Sequence, residues 1–250
     1  GGIVLVFVVF WLIAIRPQKK QEQKDRAMRD ALQVGDEVTT IGGIIGKVVS
    51  IKEGTFVLET TKDKTAHFIL REYIRRDNPE AELFVCHRLD QFTSGILIFS
   101  KDEALKDEMR ENWDFYVKER KYVCVTERVP DKLEDDITSY LEENNHLHVH
   151  STSNANRGKL AATHYKVIQS RGRYALVDVE IFTGKKNQIR VHMSDIGAPI
   201  AGDMKYGAET NPAKRLMLHN YRLSFIHPVK GELMRFSLSI PYSFKQLTSE

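Results

Sequence analysis

Apolar residues crowd the start of this chain and then thin into short alternating runs. Ile3 to Ile15 is unbroken (IVLVFVVFWLIAI), and Arg16, Pro17, Lys19 and Lys20 follow at once. An apolar run closed by cations predicts a transmembrane helix with its basic flank on the cytoplasmic side and Trp11 near the interface. A helix of about fifteen residues spans only about 22 Å, against roughly 30 Å of hydrocarbon. The expectation is therefore a helix over 1–16 that is truncated at its start. Its charges follow the apolar run rather than precede it, which argues against a secretory signal. Gln18 to Leu32 is rich in charge and glutamine, with Ala27, Met28, Ala31 and Leu32 as a thin stripe, and reads as a solvated juxtamembrane helix. From Gly35 the texture changes to GDEVTTIGGIIGKVVSIKEGTFVLETT. Short β-branched runs broken by Gly42-Gly43 and Glu53-Gly54 predict small antiparallel strands, so 17–62 is expected to be a juxtamembrane helix and a β-rich module.

Beyond Lys62 to Lys64 the periodicity changes again. Ala66, Ile69, Leu70, Tyr73 and Ile74 recur at helical spacing, Arg71, Arg75 and Arg76 face outward, and Asp77-Asn78-Pro79 ends the helix. Ser100 and Glu103 suggest a capping box for a helix carrying Leu105, Met109 and Trp113 on one face. Lys121 to Glu127 alternates as a strand. A helix is expected after Pro130, with Leu133, Ile137, Tyr140 and Leu141 as its stripe. Tyr174 to Phe182 reads as a strand, Gln188 to Ile196 as a helix closed by Gly197, and Met234, Phe236, Leu238 and Ile240 alternate in a last strand. Strands and helices mix without a regular βαβ rhythm, which predicts α+β for 65–250.

Composition adds little to this. The 250 residues are 42% hydrophobic and 28% charged, ordinary for a folded protein, and a net charge of +3 permits a polyanionic partner without requiring one. The only cysteines, Cys86 and Cys124, form no CxxC, which argues for a reducing compartment and against a disulfide framework or cysteine metal site.

Chemistry concentrates in a few places. In VCHRLDQFTSGILIF (85–99), Arg88 and Asp90 share a face if the segment is extended, Leu89 packs behind, and Gly95 permits close backbone approach. This pattern is equally that of a salt-bridged strand end. In TGKKNQIRVHM (183–193), a Thr-Gly turn, Lys185 and Lys186 meet a helix N-terminus, a favourable place for phosphate, and Arg190 lies one turn inside. A solvated basic helix start fits the same spacing. Tyr122 suits either the core or the stacking of a base. His146, His148 and His150 alternate but lack cysteine or carboxylate neighbours at ligand spacing, so no metal is expected. GxxxxGK[ST], GxGxxG and GxSxG are all missing, which leaves nucleotide hydrolysis, dinucleotide binding and serine esterase chemistry without support.

Five segments in order resemble the RluA family of RNA pseudouridine synthases. They are HRLDQFTSGILIFSK (87–101), KERKYVCV (118–125), AATHYKV (161–167), TGKKNQIRVHMSDIGAPIAGDMKYG (183–207) and RLMLHNYRLSFIHP (215–228). The resemblance implies an α+β, pseudouridine synthase-like mixed or antiparallel sheet with helices, acting on ribosomal or transfer RNA without metal or organic cofactor. It implies Asp90 as the essential carboxylate, Arg190 as its ion-pair partner and Tyr122 as the residue that stacks on the base. Arg88 would brace the gap left by a flipped nucleotide, and Thr93, Ser94, Lys121, Lys185, Lys186 and Gln188 would contact RNA. Lys185 and Asn187 stand where arginine and histidine are frequent in the family, and Ala198 where histidine is frequent. The strand and Asn-Lys-Pro loop that the family carries before the helix near Ala66 are not seen, so a catalytic domain lacking its first strand is expected. The first sixty or so residues, from the apolar run through IRPQKK to GDEVTTIGGIIGKVVSIKEGTFVLE, resemble YajC, the accessory subunit of the bacterial Sec translocon. That likeness implies a cytoplasmic domain tethered to the inner membrane, with translocon subunits as partners. A translocon-associated protein carrying an inactive or RNA-binding synthase remnant is the competing expectation.

Overall fold

A computed structural model describes the backbone of 37–39, 45–52 and 55–60 and the residues from 66 to 249, apart from the side chain of Ile69. The expected transmembrane run and juxtamembrane helix lie outside the described residues. Among those described, no helix is long and apolar enough to cross a membrane. The chain divides into two units, Gly1–Thr65 and Ala66–Glu250. In the first, β1 (Glu37–Thr39), β2 (Ile45–Lys52) and β3 (Thr55–Thr60) pair antiparallel in that order.

The second unit opens with α1 (Ala66–Ile74) and the short strands β4 (Phe84–Val85), β5 (Ser94–Gly95) and β6 (Phe99–Ser100). Two helices follow, α2 (Glu103–Glu111) and α3 (Trp113–Tyr116), then β7 (Val117–Thr126), β8 (Glu134–Glu143) and β9 (Val149–Thr152). The remaining elements are β10 (Lys159–Arg171), β11 (Tyr174–Ile181), α4 (Gln188–Asp195), β12 (Leu218–Ile226), β13 (Leu233–Ser237) and α5 (Tyr242–Thr248). The large sheet runs β13-β12-β7-β11-β10-β8-β9, antiparallel throughout, and β5 joins β12 in parallel. This is the α+β mixed sheet with helices that the sequence predicts.

β7 and β11 are the centre because they are apolar on both faces. Val123, Cys124, Val125, Ala175, Leu176, Val177 and Val179 are all buried, as befits strands covered on each side. Ile189 and Met193 of α4 and Phe244 of α5 join that cluster. Burying Phe244 completely accounts for α5, for which the sequence pattern gives no expectation.

Two expectations are corrected. The helix after Pro130 is instead β8, bonded to β10 on one side and β9 on the other. Ile137, Ser139 and Leu141 alternate along it. Ser139 hid that period, because a serine counts as polar although this one faces inward to meet the buried His192 ring at 3.0 Å. The N-cap of α2 is Asp102, whose Oδ1 accepts from the Leu105 amide at 2.8 Å, while the Ser100 hydroxyl accepts the Asp102 amide instead.

Candidate active site

The segment bearing Asp90 is not extended, so the shared face of Arg88 and Asp90 that extension would give does not apply. It is a turn: the Thr93 amide donates to the Asp90 carbonyl at 3.0 Å, and Phe92 takes a left-handed backbone (φ 71°). Strand pairing resumes at β5, where Ser94 lies opposite His219 and Gly95 opposite Asn220. Gly95 is required there. A Cβ on it would sit 2.3 Å from the Asn220 carbonyl oxygen, and its φ of 133° disfavours any side chain. The close pairing fixes where the turn, and so Asp90, is presented.

Asp90 is half-buried, and burial holds its carboxyl above the ordinary range although the Asn187 amide donates to it and Arg190, Arg88 and Lys186 lie near. Tyr122 comes from β7, where it pairs with Val179 on one side and Asn220 on the other. Burial pushes its phenol up to about 12, with Asp90 adding to the rise and Arg120 opposing it. The carboxylate and the phenol therefore lie close enough to influence each other, with Arg88, Lys186 and Arg190 near the first and Arg120 near the second.

The lead-in to α4 forms a wall beside Asp90, which it reaches through Asn187, Lys186 and Arg190. Gln188, 2% exposed, accepts from the Thr183 hydroxyl and the Lys185 amide and donates to the Ala162 carbonyl and the Thr163 hydroxyl. Asn187 has a left-handed backbone (φ 55°), which asparagine tolerates better than most residues. That conformation aims its amide at Asp90 while its side chain donates to the Tyr206 hydroxyl at 3.0 Å and accepts from Arg190 at 3.2 Å.

The expected partnership of Arg190 with Asp90 takes a different form. The guanidinium makes its two-pronged pair with Asp203, at 2.6 and 2.7 Å, and acts on Asp90 only as a neighbouring charge. The reason is local: Gly202 (φ 82°) turns the chain so that Asp203 meets the fork of Arg190 directly. Three residues expected to touch RNA have their side chains engaged within the fold. Ser94 Oγ lies 2.7 Å from His219 Nδ1 and receives Arg215 Nη2 at 2.5 Å. Lys121 points to Asp178 and Glu180, at 3.4 and 3.5 Å, on the sheet face opposite Tyr122. Gln188 has no hydrogen-bonding capacity to spare. Arg88 is exposed beside Asp90, Lys185 is half-buried, and Lys186 is exposed and pairs with Glu143. The Thr93 hydroxyl is buried without a partner, as is the Asn220 carboxamide oxygen on the Tyr122 face. His148 packs against Tyr206 with the rings tilted by 40° and their centres 4.9 Å apart.

Asp203, Arg120 and Asn220 are not singled out by the sequence, and Asn187 is marked there only as standing where the family frequently has histidine. Asp203 had a readable signal: it is one acid in the otherwise apolar stretch Ala198 to Met204, where a buried charge needs a partner.

A family model for RNA pseudouridylate synthase matches residues 48–195, more than half of the sequence and including both the turn and the α4 wall. The chain belongs to the RNA pseudouridylate synthase family. Synthase relatives include YhcT of Bacillus subtilis, 31% identical over 163 residues. The ribosomal large subunit pseudouridine synthase D of Pasteurella multocida is 27% identical over 180 residues. The alignments cover 64% and 65% of this chain, and it spans 54% of the length of each relative. The fold is shared with human RNA pseudouridylate synthase domain containing 1 (TM-score 0.64, 20% identity, covering 86% of this chain and 91% of that one). Human RNA pseudouridylate synthase domain containing 4 is also similar (TM-score 0.60, 24% identity, covering 74% and 82%). Residues 2–78 match a second model, that of the preprotein translocase subunit YajC.

Proposed function

We propose that this synthase-family chain isomerises uridine to pseudouridine in ribosomal or transfer RNA, with Asp90 as the reacting carboxylate. The observation that carries this reading is a meeting of charges: a half-buried, desolvated carboxylate close to Tyr122, with Arg88, Lys186 and Arg190 as its neighbouring cations. The reaction is balanced internally. The C1′–N1 bond breaks, a C1′–C5 bond forms, the C5 proton leaves and N1 gains one. Asp90, poorly solvated, is suited to act on the ribose or the base of an extruded uridine, and Tyr122 gives the base a ring to stack on. The Tyr122 phenol, held near 12, stays protonated at neutral pH and offers a donor rather than a second negative charge beside Asp90. Arg88 stands at the exposed edge, where it would fill the place of the flipped nucleotide. Lys185 and Lys186 would meet phosphates, and binding should weaken with salt.

The test is release of tritium from RNA labelled at uracil C5. The wild-type chain should release it and Asp90→Ala should not. A folded, RNA-binding wild type that releases none would sink the reading.

The YajC match over residues 2–78 supports a second element of the same proposal. The apolar run Ile3 to Ile15 would tether a cytoplasmic synthase domain to the bacterial inner membrane, near Sec translocon subunits. Membrane fractionation of the full chain, with co-purification of translocon subunits, tests this; recovery only in the soluble fraction would refute it.

A further inference from the structure

Two carboxylates act on one guanidinium in this site, Asp203 by direct pairing and Asp90 as a neighbouring charge. Arg190, 7% exposed, bonds Asp203 through Nε at 2.7 Å and Nη2 at 2.6 Å, and Asp203 is itself 2% exposed. Asp203 is fixed by the backbone: its amide donates to the Ile200 carbonyl, and its carbonyl accepts the Tyr206 amide. Nη1 of Arg190 reaches the Asn187 carboxamide at 3.2 Å, and the guanidinium lies 4.8 Å from the centre of the Tyr206 ring. Asn187 in turn donates from its side chain to the Tyr206 hydroxyl and from its backbone to Asp90. One residue therefore links the clamp on Arg190 to the reactive carboxylate.

We propose that Asp203 is a positioning residue, which captures Arg190 in a two-pronged pair and thereby limits how much of that positive charge reaches Asp90. The proposal rests on the reading of Asp90 as the reacting group. A carboxylate fully paired with arginine would be stabilised as the anion and slow to form a new bond. With the arginine committed to Asp203, Asp90 stays ionisable yet incompletely neutralised. The charged and titratable groups around Asp90 are Arg88 on its own segment, Lys186 and Arg190 from α4 and its lead-in, and Tyr122 from β7. Those around Arg190 are Asp203, Tyr206 and Asp90. Neutralising Asp203 frees the arginine fork, and the released positive charge makes Asp90 easier to ionise.

The experiment is a pH titration of aspartate carboxyl carbons by NMR in the full chain labelled with 13C-aspartate, with Asp90→Asn identifying the Asp90 signal. In Asp203→Asn, Asp90 should lose about tenfold in proton affinity, a downward shift of about one pH unit. Asp203→Glu, which keeps the charge, should titrate close to wild type. Asn187→Gly, which keeps the left-handed backbone and its amide but releases Nη1, should give a smaller shift in the same direction. Titration of Asp90 at the same or a higher pH in folded Asp203→Asn would overturn the proposal. If that variant does not fold by circular dichroism, Asn187→Gly decides by the same criterion. The acid limb of kcat against pH, read by tritium release, should move down with the NMR value. A wild type that releases no tritium removes the synthase reading while the NMR result still judges the clamp. An unmoved Asp90 signal overturns the clamp and leaves that reading intact.

Discussion

The wall at the start of α4 and the turn that carries Asp90 meet at that carboxylate but are built in opposite ways. In the wall, Gln188, Asn187, Arg190 and His192 all find partners: His192 bonds the Ser139 hydroxyl at 3.0 Å and the Thr163 hydroxyl at 2.9 Å. In the turn and the strand beside it, the Thr93 hydroxyl, His219 Nε2 and the Asn220 carboxamide oxygen are buried without a protein partner. Phe92 has a left-handed backbone, and Asp90 is a carboxyl that burial makes hard to ionise. A satisfied network costs little to keep and holds its shape. Unsatisfied groups cost stability and persist when the rest of the fold imposes them, as Gly95 and β12 do here. The wall supplies rigidity and the turn supplies reactivity.

The largest test of this contrast is Asp90→Asn. Activity should fall on the order of 10⁴-fold or more, since the residue is proposed to react directly. Stability should move the other way. The folded-state pKa of Asp90 lies above its unfolded value, so its favourable contribution holds at low pH and is lost as pH rises through the folded value. At neutral pH the ionised group opposes folding, and the neutral amide should raise the melting temperature. A drop in melting temperature would show that Asp90 supports the fold.

Gln188→Ala probes the wall and should do the reverse. It strips partners from the Thr163 and Thr183 hydroxyls and from the Ala162 carbonyl in a buried place, a loss of about 3 kcal/mol. Denaturant unfolding measures it. A loss below about 1 kcal/mol would mean that the network is not what stiffens the wall.

Acid should affect both regions. Burial pulls the rings of His192 and His219 down to about 4, from an ordinary 6.5. The unfolded chain therefore takes up protons that the folded chain refuses, and stability falls as pH drops from about 6.5 to about 4, by about 3 kcal/mol for each ring. Melting temperature against pH reads this, and His192→Gln and His219→Gln should each flatten the curve. The two should differ at pH 7. His192 uses both ring nitrogens, so its replacement costs stability there, whereas His219 uses only Nδ1 and its replacement should cost less.

The sequence was informative where a residue's role follows from its neighbours along the chain. The strands at 121–127 and 174–182, the helix from Gln188 and its stop at Gly197 all follow from local periodicity, and the structure places them there. The nearness of Asp90 and Tyr122 came not from periodicity but from the resemblance carried by five ordered motifs, and in the structure the two are electrostatic neighbours. What could not be read locally were choices made by partners far away. Strand pairing on both sides turned 134–143 from helix to β8. Asp203 took the fork expected at Asp90, because nothing near position 190 shows which of two distant acids will reach it. Ser94, Lys121 and Gln188 look free to meet RNA in the sequence, yet each is occupied by groups 25 or more residues away.

The smallest expected effect falls on the rim, where wall and turn come nearest to solvent. Lys186 pairs with Glu143 and also lies close enough to Asp90 to favour its ionisation. An exposed pair of this kind contributes little to stability, so Lys186→Ala should leave the melting temperature almost unchanged. Its role under the synthase reading is to meet one phosphate, which predicts that RNA affinity weakens evenly across sequences and that the salt slope decreases by about one. Arg88→Ala should lose more than this, because Arg88 belongs to the turn and would have to fill the gap of the flipped nucleotide as well as carry charge. Filter binding at several salt concentrations separates the two. If Lys186→Ala and Arg88→Ala show the same slope and the same loss, the cations act as one undifferentiated field, and the distinction between wall and turn ends at the buried residues.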